Sequence, residues 1–236
     1  MDAGKALFTA ITLIFTCKAQ AELSASNGGL GVYDSHLNVI WTQDANLLNT
    51  LENSNGYSAT INAIITAVPT IYDTPNVYDN GGNGVYNLSV GDFIAGGKVD
   101  WWAAQAFVSY LNLENYAGIH SWVLPSADTA CAGNYCTNSQ MGEVYYNEEG
   151  GLAGRGYFSN VQAYGYWSSN QNASDSGSAW DFFTQHGLQY YDAKSFDFYA
   201  LAVSGQVTTA PVPGAVWLFG TGLLGLPGLM KRRNRR

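Results

Sequence analysis

Positive charge is scarce over most of this chain of 236 residues. Five of its ten Lys and Arg residues fall within the last six positions and two more within the first 18, which leaves Lys98, Arg155 and Lys194 for everything between. Seventeen of the eighteen acidic residues lie in that central part, so three basic residues face seventeen acidic ones and its net charge is −14. A surface so acidic repels phosphate backbones, which argues against any nucleic-acid partner.

Residues suited to catalysis or metal binding are few and scattered. The three histidines, His36, His120 and His186, show no spacing that pairs them with a nucleophile, so each is predicted to be a surface or capping residue. Ser168-Ser169 lacks the Gly-x-Ser-x-Gly turn of serine hydrolases. Glu148-Glu149 stands in a glycine-rich stretch, where adjacent carboxylates do not converge on one bond. We therefore predict no catalytic residues, no metal site and no cofactor.

Cysteine is equally scarce, with three in the chain. Cys17 lies in the N-terminal segment, and Cys131 and Cys136 lack the neighbouring ligands that a metal ion would need. A C-x4-C pair in an exported protein is typical of a short-loop disulfide. We predict a Cys131–Cys136 disulfide that stabilises the fold by about 2 kcal/mol.

The first 21 residues have the pattern of a secretory signal peptide. Lys5 precedes an apolar run over 6–15, and Ala19 and Ala21 supply the small residues of an A-x-A cleavage site. We expect signal peptidase to cut after Ala21, so that the chain is exported and its mature part begins near Glu22.

Residues 208–236 form a second address segment in three parts. The motif Pro211-Val212-Pro213-Gly214 precedes an uncharged run of 16 residues, and the basic tail 231–236 follows. As a helix the run spans about 24 Å, close to the roughly 30 Å of a bilayer's apolar core. We predict a transmembrane helix over 214–230 with the tail on the cytoplasmic side. The alternative, a buried core helix, accounts poorly for the five cations.

The two end segments together resemble those of PEP-CTERM proteins, in the variant whose motif begins Val-Pro-x-Pro. Val212 stands where Glu is usual, and Gly214 stands where Ala is common. The resemblance implies processing by an exosortase, a membrane-embedded enzyme that cuts near the Pro-x-Pro segment. It also implies an intermediate anchored in the inner membrane, and then a cell-surface or extracellular product that is either released or attached.

The central residues 22–207 are long enough for one domain with its own core, and their apolar spacing predicts an α+β fold. Asp100 is well placed to cap the strongest helix. Four helices are predicted, over residues 44–51, 57–68, 101–112 and 140–146. Strands are expected within three stretches, 30–46, 122–125 and 165–204, with turns at 34–36 and 186–187.

Residues 73–97 are rich in glycine and are predicted to be loop with at most one short strand. Within them, DNGGNG at 79–84 is either a flexible turn or a calcium-binding loop. Gly81 stands where a calcium loop would need an oxygen ligand, which favours the turn.

Seven short motifs follow one another in the central part: VIWT (39–42), WWAAQAFVSYLN (101–112), SWVLPS (121–126), MGEVYYNE (141–148), YWSS (166–169), AWDF (179–182) and ALAV (200–203). In this order they resemble the Lcl C-terminal domain family, a domain of unknown function, over most of residues 30–205. The resemblance implies a C-type-lectin-like fold, with helices packed on a twisted, mostly antiparallel sheet that carries long loops. Val123 stands where the usual motif has Arg, so no role of that Arg is carried over.

The best candidate ligand surface is the polar and aromatic stretch near residue 170, with Trp167, Asn170, Asp175 and Asp181. Tryptophan faces suit sugar rings, and carboxylate and amide oxygens are the ligands of a calcium lectin site. Trp122, Trp167 and Trp180 stand in apolar strand contexts, however, which favours positions in the protein core.

Family members have been linked to glycan or glycosaminoglycan binding, which makes extracellular polysaccharide the expected partner of a non-enzymatic surface or matrix protein. The alternative is an extracytoplasmic enzyme of the formylglycine-generating and C-type-lectin-like superfamily that acts on glycan or protein. Such an enzyme would use the surface around residues 165–181.

Overall fold

The computed structural model describes residues 23–73, 84–147, 152 and 156–205. The predicted signal peptide, the predicted sorting segment with its transmembrane helix, Glu148-Glu149 and all of DNGGNG except Gly84 lie outside the described residues. Within the described residues, no helix is both long and apolar enough to cross a membrane.

Four helices form in the described part of the chain: α1 Leu47–Asn55, α2 Tyr57–Ala67, α3 Trp101–Leu113 and α4 Gln140–Tyr146. Helices α2, α3 and α4 begin at the predicted residues. Asp100 caps α3 as predicted, because its carboxylate accepts the backbone N–H of Ala103 at 2.8 Å. Helix α1 begins three residues later than predicted. The Asp44 carboxylate accepts from Asn46 N and Thr50 Oγ1, which holds residues 44–46 in a turn before the helix.

Fourteen short strands are present in the described residues: β1 Leu23–Ser26, β2 Gly31–Asp34, β3 Val39–Thr42, β4 Thr70–Tyr72, β5 Val85–Asn87, β6 Phe93–Ile94, β7 Lys98–Val99, β8 Trp122–Val123, β9 Gly133–Asn134, β10 Gly165–Asn172, β11 Asp175–Phe183, β12 Leu188–Ala193, β13 Phe198–Tyr199 and β14 Val203–Ser204. The larger sheet has the order β6-β7-β13-β10-β11-β12-β9, and the second has the order β1-β2-β3-β14-β8. Strands β4 and β5 form a separate hairpin. Strand pairs in these sheets are antiparallel except β10–β13, so the predicted α+β class is confirmed.

The described part of the stretch 73–97 contains two short strands, β5 and β6, where at most one short strand is predicted from the sequence. The β5 residue Tyr86 stacks on Trp102 of α3 with ring centroids 4.0 Å apart. Such a tertiary contact orders a segment whose local glycine content favours a loop.

Strand β10 lies between the two hydrophobic cores of the domain. Successive side chains of a strand point to opposite faces, and Trp167 belongs to the core around α3 while Tyr166 belongs to the core around α4. Trp122, Trp167 and Trp180 are all buried, as their apolar strand contexts predicted.

Candidate functional site

The four residues of the predicted ligand surface do not form one exposed surface. Trp167 and Asp181 are fully buried, and Trp167 donates its indole N–H to the Val99 carbonyl at 3.0 Å. The Asn170 side-chain oxygen accepts from Ala127 N at 2.8 Å. Asp175 is exposed in the β10–β11 hairpin, where its carboxylate accepts from the backbone of residue 177 and the hydroxyl of residue 178. Two of the four side chains are therefore out of reach of a ligand in solution.

The buried carboxyl of Asp181 is held in its neutral form near neutral pH. Burial raises the pKa of Asp181 to about 8, and the nearby carboxylate of Asp192 on β12 adds to the rise. Burial also raises the pKa of Asp192. A protonated, buried Asp181 is suited to packing in the core rather than to binding a cation.

The predicted disulfide is confirmed: Cys131 and Cys136 are joined with an S–S distance of 2.05 Å. Strand β9 lies inside the closed loop and pairs with β12 in the large sheet. The disulfide thus closes the loop, and the pairing of β9 with β12 fixes the loop to the large sheet.

Tyr135, inside the disulfide loop, combines high exposure with an unfavourable backbone conformation. Its side chain is 77% exposed, and its backbone φ is +64°. Bulky residues rarely adopt positive φ, and the strain costs of the order of 1–3 kcal/mol. The disulfide and the β9–β12 pairing hold this conformation, which directs an aromatic ring into solvent.

Tyr146 at the end of α4 forms the second half of what we call the tyrosine platform, defined as Tyr135 and Tyr146. The two ring centroids are 4.9 Å apart at an interplanar angle of 30°. The Tyr146 hydroxyl donates to the Gly187 carbonyl at 2.7 Å. Gly187 has φ +68°, and a Cβ there would clash with that hydroxyl, so only glycine fits below the platform. Behind Tyr146, the ring of Tyr145 lies edge-on to it and connects it to the core.

Among the described residues, Tyr135 has a polar, uncharged neighbour in Asn134. Asn134 is exposed beside Tyr135, and its amide donates to the His186 carbonyl at 2.7 Å. The two cations of the described domain lie elsewhere, since Lys194 is buried and Lys98 sits over the Tyr164 ring at 4.5 Å. Stacked aromatic faces with amide neighbours suit a neutral ligand that has both apolar C–H faces and hydroxyls.

All three histidines are exposed, as predicted for surface residues. His36 Nδ1 lies 2.7 Å from Glu143 Oε1, and His120 Nδ1 lies 3.0 Å from the Asn112 carbonyl. Among the described residues, no group of three or more His, Cys, Asp or Glu side chains is arranged to hold a metal ion.

A second polar arrangement lies in the core, and we call it the ion-pair centre: Asp73, Lys194 and the side chains around them. Lys194 Nζ is 2.7 Å from each Asp73 carboxylate oxygen, and both side chains are fully buried. Gln171 Oε1 accepts from Lys194 at 3.0 Å, and the Trp102 indole donates to Asp73 at 2.7 Å. The Lys194 ammonium also lies 4.5 Å from the centre of the Trp101 ring.

Carboxylates and a tyrosine continue this polar arrangement toward the start of α3. The Tyr86 hydroxyl donates to Asp92 at 2.9 Å and lies 3.5 Å from Asp100. Burial raises the pKa of Asp100 to about 8, and the charges of Asp92 and Asp197 add to the rise. Neither Tyr135 nor the ion-pair centre is predicted from the sequence. An aromatic residue next to a cysteine in a short disulfide loop was the available signal for Tyr135; a rare cation in an acidic domain was the signal for Lys194.

A family model, the Lcl C-terminal domain, matches residues 31–204. The chain belongs to the Lcl C-terminal domain family. The family match spans the chain from β2 to β14, so the tyrosine platform and the ion-pair centre both lie within the Lcl domain. No curated protein and no solved structure matches the chain.

Proposed function

We propose that this chain is an exported cell-surface or extracellular-matrix protein, processed by an exosortase, whose Lcl domain binds polysaccharide without catalysis. We also propose that the domain is C-type-lectin-like, with α3 and α4 as the helices packed on its antiparallel sheet. The two end segments support export and processing through their PEP-CTERM-like order of signal peptide, Pro-x-Pro motif, apolar run and basic tail.

The observation that carries polysaccharide binding is the exposure of Tyr135 in a strained conformation. The folded protein holds Tyr135 in an unfavourable positive-φ conformation. Its side chain nevertheless stays mostly exposed, although burial of the ring would have contributed to stability. Strain of this kind is concentrated at functional sites. The Tyr135 ring packs on Tyr146 and leaves an aromatic face, about the size of a sugar ring, open to solvent.

The negative charge of the domain favours neutral over anionic polysaccharides as the ligand. With seventeen acidic residues against three basic ones in the central part, anionic polymers are repelled unless divalent cations bridge them. Since no cation of the described residues lies at the tyrosine platform, we propose neutral polysaccharide as the ligand.

A glycan array tests the ligand, with the exported, processed protein as the probe. We expect selective binding of neutral glycans without turnover, and a loss of about tenfold in affinity for Tyr135→Ala, which corresponds to about 1.4 kcal/mol. The matched control is Tyr72→Ala, because Tyr72 is 85% exposed on β4 and outside the platform. Equal losses in both variants would contradict a binding role for Tyr135, and a released product would favour the enzyme alternative.

Mass spectrometry of the mature C-terminus tests the processing. We expect a terminus near the Pro211–Gly214 motif and an N-terminus near Glu22. A full-length chain found in the cytosol with both ends uncut would contradict export and exosortase processing together.

A further inference from the structure

The Asp73–Lys194 pair brings together two reactive groups that are far apart in the chain. The residues are 121 positions apart, yet Nζ touches both carboxylate oxygens at 2.7 Å. Neither side chain has any exposed surface. Water cannot hydrate either charge, and burying an ion pair in this way is costly unless its surroundings compensate.

The surroundings of the pair match the hydrogen-bonding needs of an amide. A secondary amide has one oxygen that accepts and one N–H that donates. The Trp102 indole already donates to Asp73 Oδ2 at 2.7 Å, and Gln171 Oε1 already accepts from Lys194 Nζ at 3.0 Å. Both polar atoms of an amide formed here would keep a partner, and the second carboxylate oxygen, Oδ1, would be the one to leave.

The setting also favours the nucleophilic form of the lysine. Burial lowers the pKa of Lys194, which raises the fraction of neutral amine, although Asp73 opposes the shift. A desolvated lysine amine is an established type of protein nucleophile. The Trp101 ring covers Nζ on one side, so the amine is held against the carboxyl group.

We infer that Lys194 and Asp73 are joined in the folded protein by an intramolecular amide bond between Nζ and Cγ. The ammonium first gives one proton to the carboxylate, which leaves a neutral amine beside a carboxylic acid. Nζ then attacks Cγ and the Cγ–Oδ1 bond breaks. Oδ1 departs as water with that proton and a second one from the nitrogen, and the amide keeps one N–H. The step needs no oxidant, reductant or other reactant.

The product removes both charges from the core and ties the β4–β5 hairpin to the end of β12. Asp73 directly follows β4, and Lys194 directly follows β12. Such a link closes a long loop of the chain and, unlike the Cys131–Cys136 disulfide, survives reduction. The inference does not depend on the ligand or on the processing proposed above.

Peptide mapping and intact mass of the full chain, expressed with its own end segments and purified folded, test the inference. After reduction, we expect a mass lower by one water than that of the processed sequence, and a branched peptide that contains both Asp73 and Lys194. Trypsin should fail to cleave after Lys194. In denaturing gels with reductant, the wild-type chain should migrate faster than Lys194→Arg, which keeps a cation but has no amine able to form this bond.

Two outcomes would overturn the inference, and neither requires a stable variant. The first is recovery of an unbranched peptide that ends at Lys194 from the folded wild-type chain. The second is a loss of water without a branched peptide, which places the loss at another site, such as ring closure of an aspartate side chain onto the following backbone nitrogen. If the Lys194→Arg variant folds, we expect its intact mass to equal that of its processed sequence, with no loss of water.

Discussion

The tyrosine platform and the ion-pair centre show two opposite ways of holding polar chemistry in one small domain. The platform depends on a local constraint. The disulfide joins two cysteines that are five positions apart in the sequence, and it keeps Tyr135 in its positive-φ conformation. The ion-pair centre depends on distant segments, since Asp73, Gln171 and Lys194 come from the β4 end, β10 and the β12 end. If the tyrosine platform binds ligand as proposed, substitutions there should alter binding with little effect on stability, whereas substitutions in the ion-pair centre should alter stability.

The largest effect is expected from breaking the ion-pair centre. Lys194→Met leaves Asp73 buried without its cation or its amide link, which should lower the free energy of unfolding by about 3–5 kcal/mol. Urea denaturation monitored by tryptophan fluorescence measures the loss. The double variant Asp73→Leu/Lys194→Met should recover part of it, because no buried charge remains. A loss below about 1 kcal/mol in the single variant would show that the centre contributes little.

A pH-dependent loss of stability is expected from the buried carboxyl of Asp181. Its pKa is raised from 3.8 to about 8 in the folded protein, so folding binds a proton that the unfolded chain releases. The stabilisation of the folded protein by protonated Asp181 is fully present below about pH 4. It is lost as the pH rises toward 8, by at most about 1.4 kcal/mol per pH unit. Asp181→Asn should flatten this dependence in denaturation series from pH 4 to pH 9.

Asp175→Asn is the control for the pH series, because hydrogen bonds from residues 177 and 178 lower the pKa of exposed Asp175. The pH dependence that Asp175 gives to stability has the opposite sign. Its ionised carboxylate stabilises the folded protein above the ordinary pKa of aspartate, and this stabilisation is lost as the pH falls. Identical profiles for the Asp181 variant and the wild-type chain would show that burial of Asp181 does not control the dependence. Asp100, with a pKa of about 8, should account for part of the residual slope.

An intermediate effect is expected from opening the disulfide. Cys131→Ser/Cys136→Ser should lower the free energy of unfolding by about 2 kcal/mol, in line with the short loop. The same variant should lose affinity for neutral glycan, because Tyr135 is released from its positive φ. Denaturation and glycan binding, measured on one preparation, check both parts. Full glycan affinity in the open form would show that the constraint on Tyr135 is not required.

The smallest effect on stability is expected at the platform itself. Tyr135→Gly relieves the positive φ and adds backbone freedom to the unfolded chain, so we expect a net change below about 1 kcal/mol. Glycan binding should nevertheless fall at least as much as in Tyr135→Ala. A large loss of stability here would instead assign Tyr135 to the fold.

Local patterns in the sequence predicted much of the secondary structure. The Asp100 cap, the apolar spacing of α2 and α3 and the Cys131–Cys136 spacing each depend on residues a few positions apart, and the structure confirms them. The PEP-CTERM-like ends stay predictions, because they lie outside the described residues.

The candidate site was harder to predict because its residues are related through the sheet. Asp181 was grouped with Asn170 and Asp175 as an exposed cluster, but in the β10–β11 register it lies opposite Trp167, which faces the core. A pattern of polar residues close in sequence does not reveal which strand face they occupy. The contact between Asp73 and Lys194 joins segments whose pairing no local spacing encodes.

Gly187 has a consequence for how this surface can vary among related chains. Because Tyr146 occupies the space that a side chain there would need, the tip of the β11–β12 hairpin and the end of α4 are interdependent. A larger residue or an inserted one at that tip would displace the Tyr146 ring and reorient the tyrosine platform. Variation of this surface should therefore occur in residues around the ring, while the hairpin keeps its length.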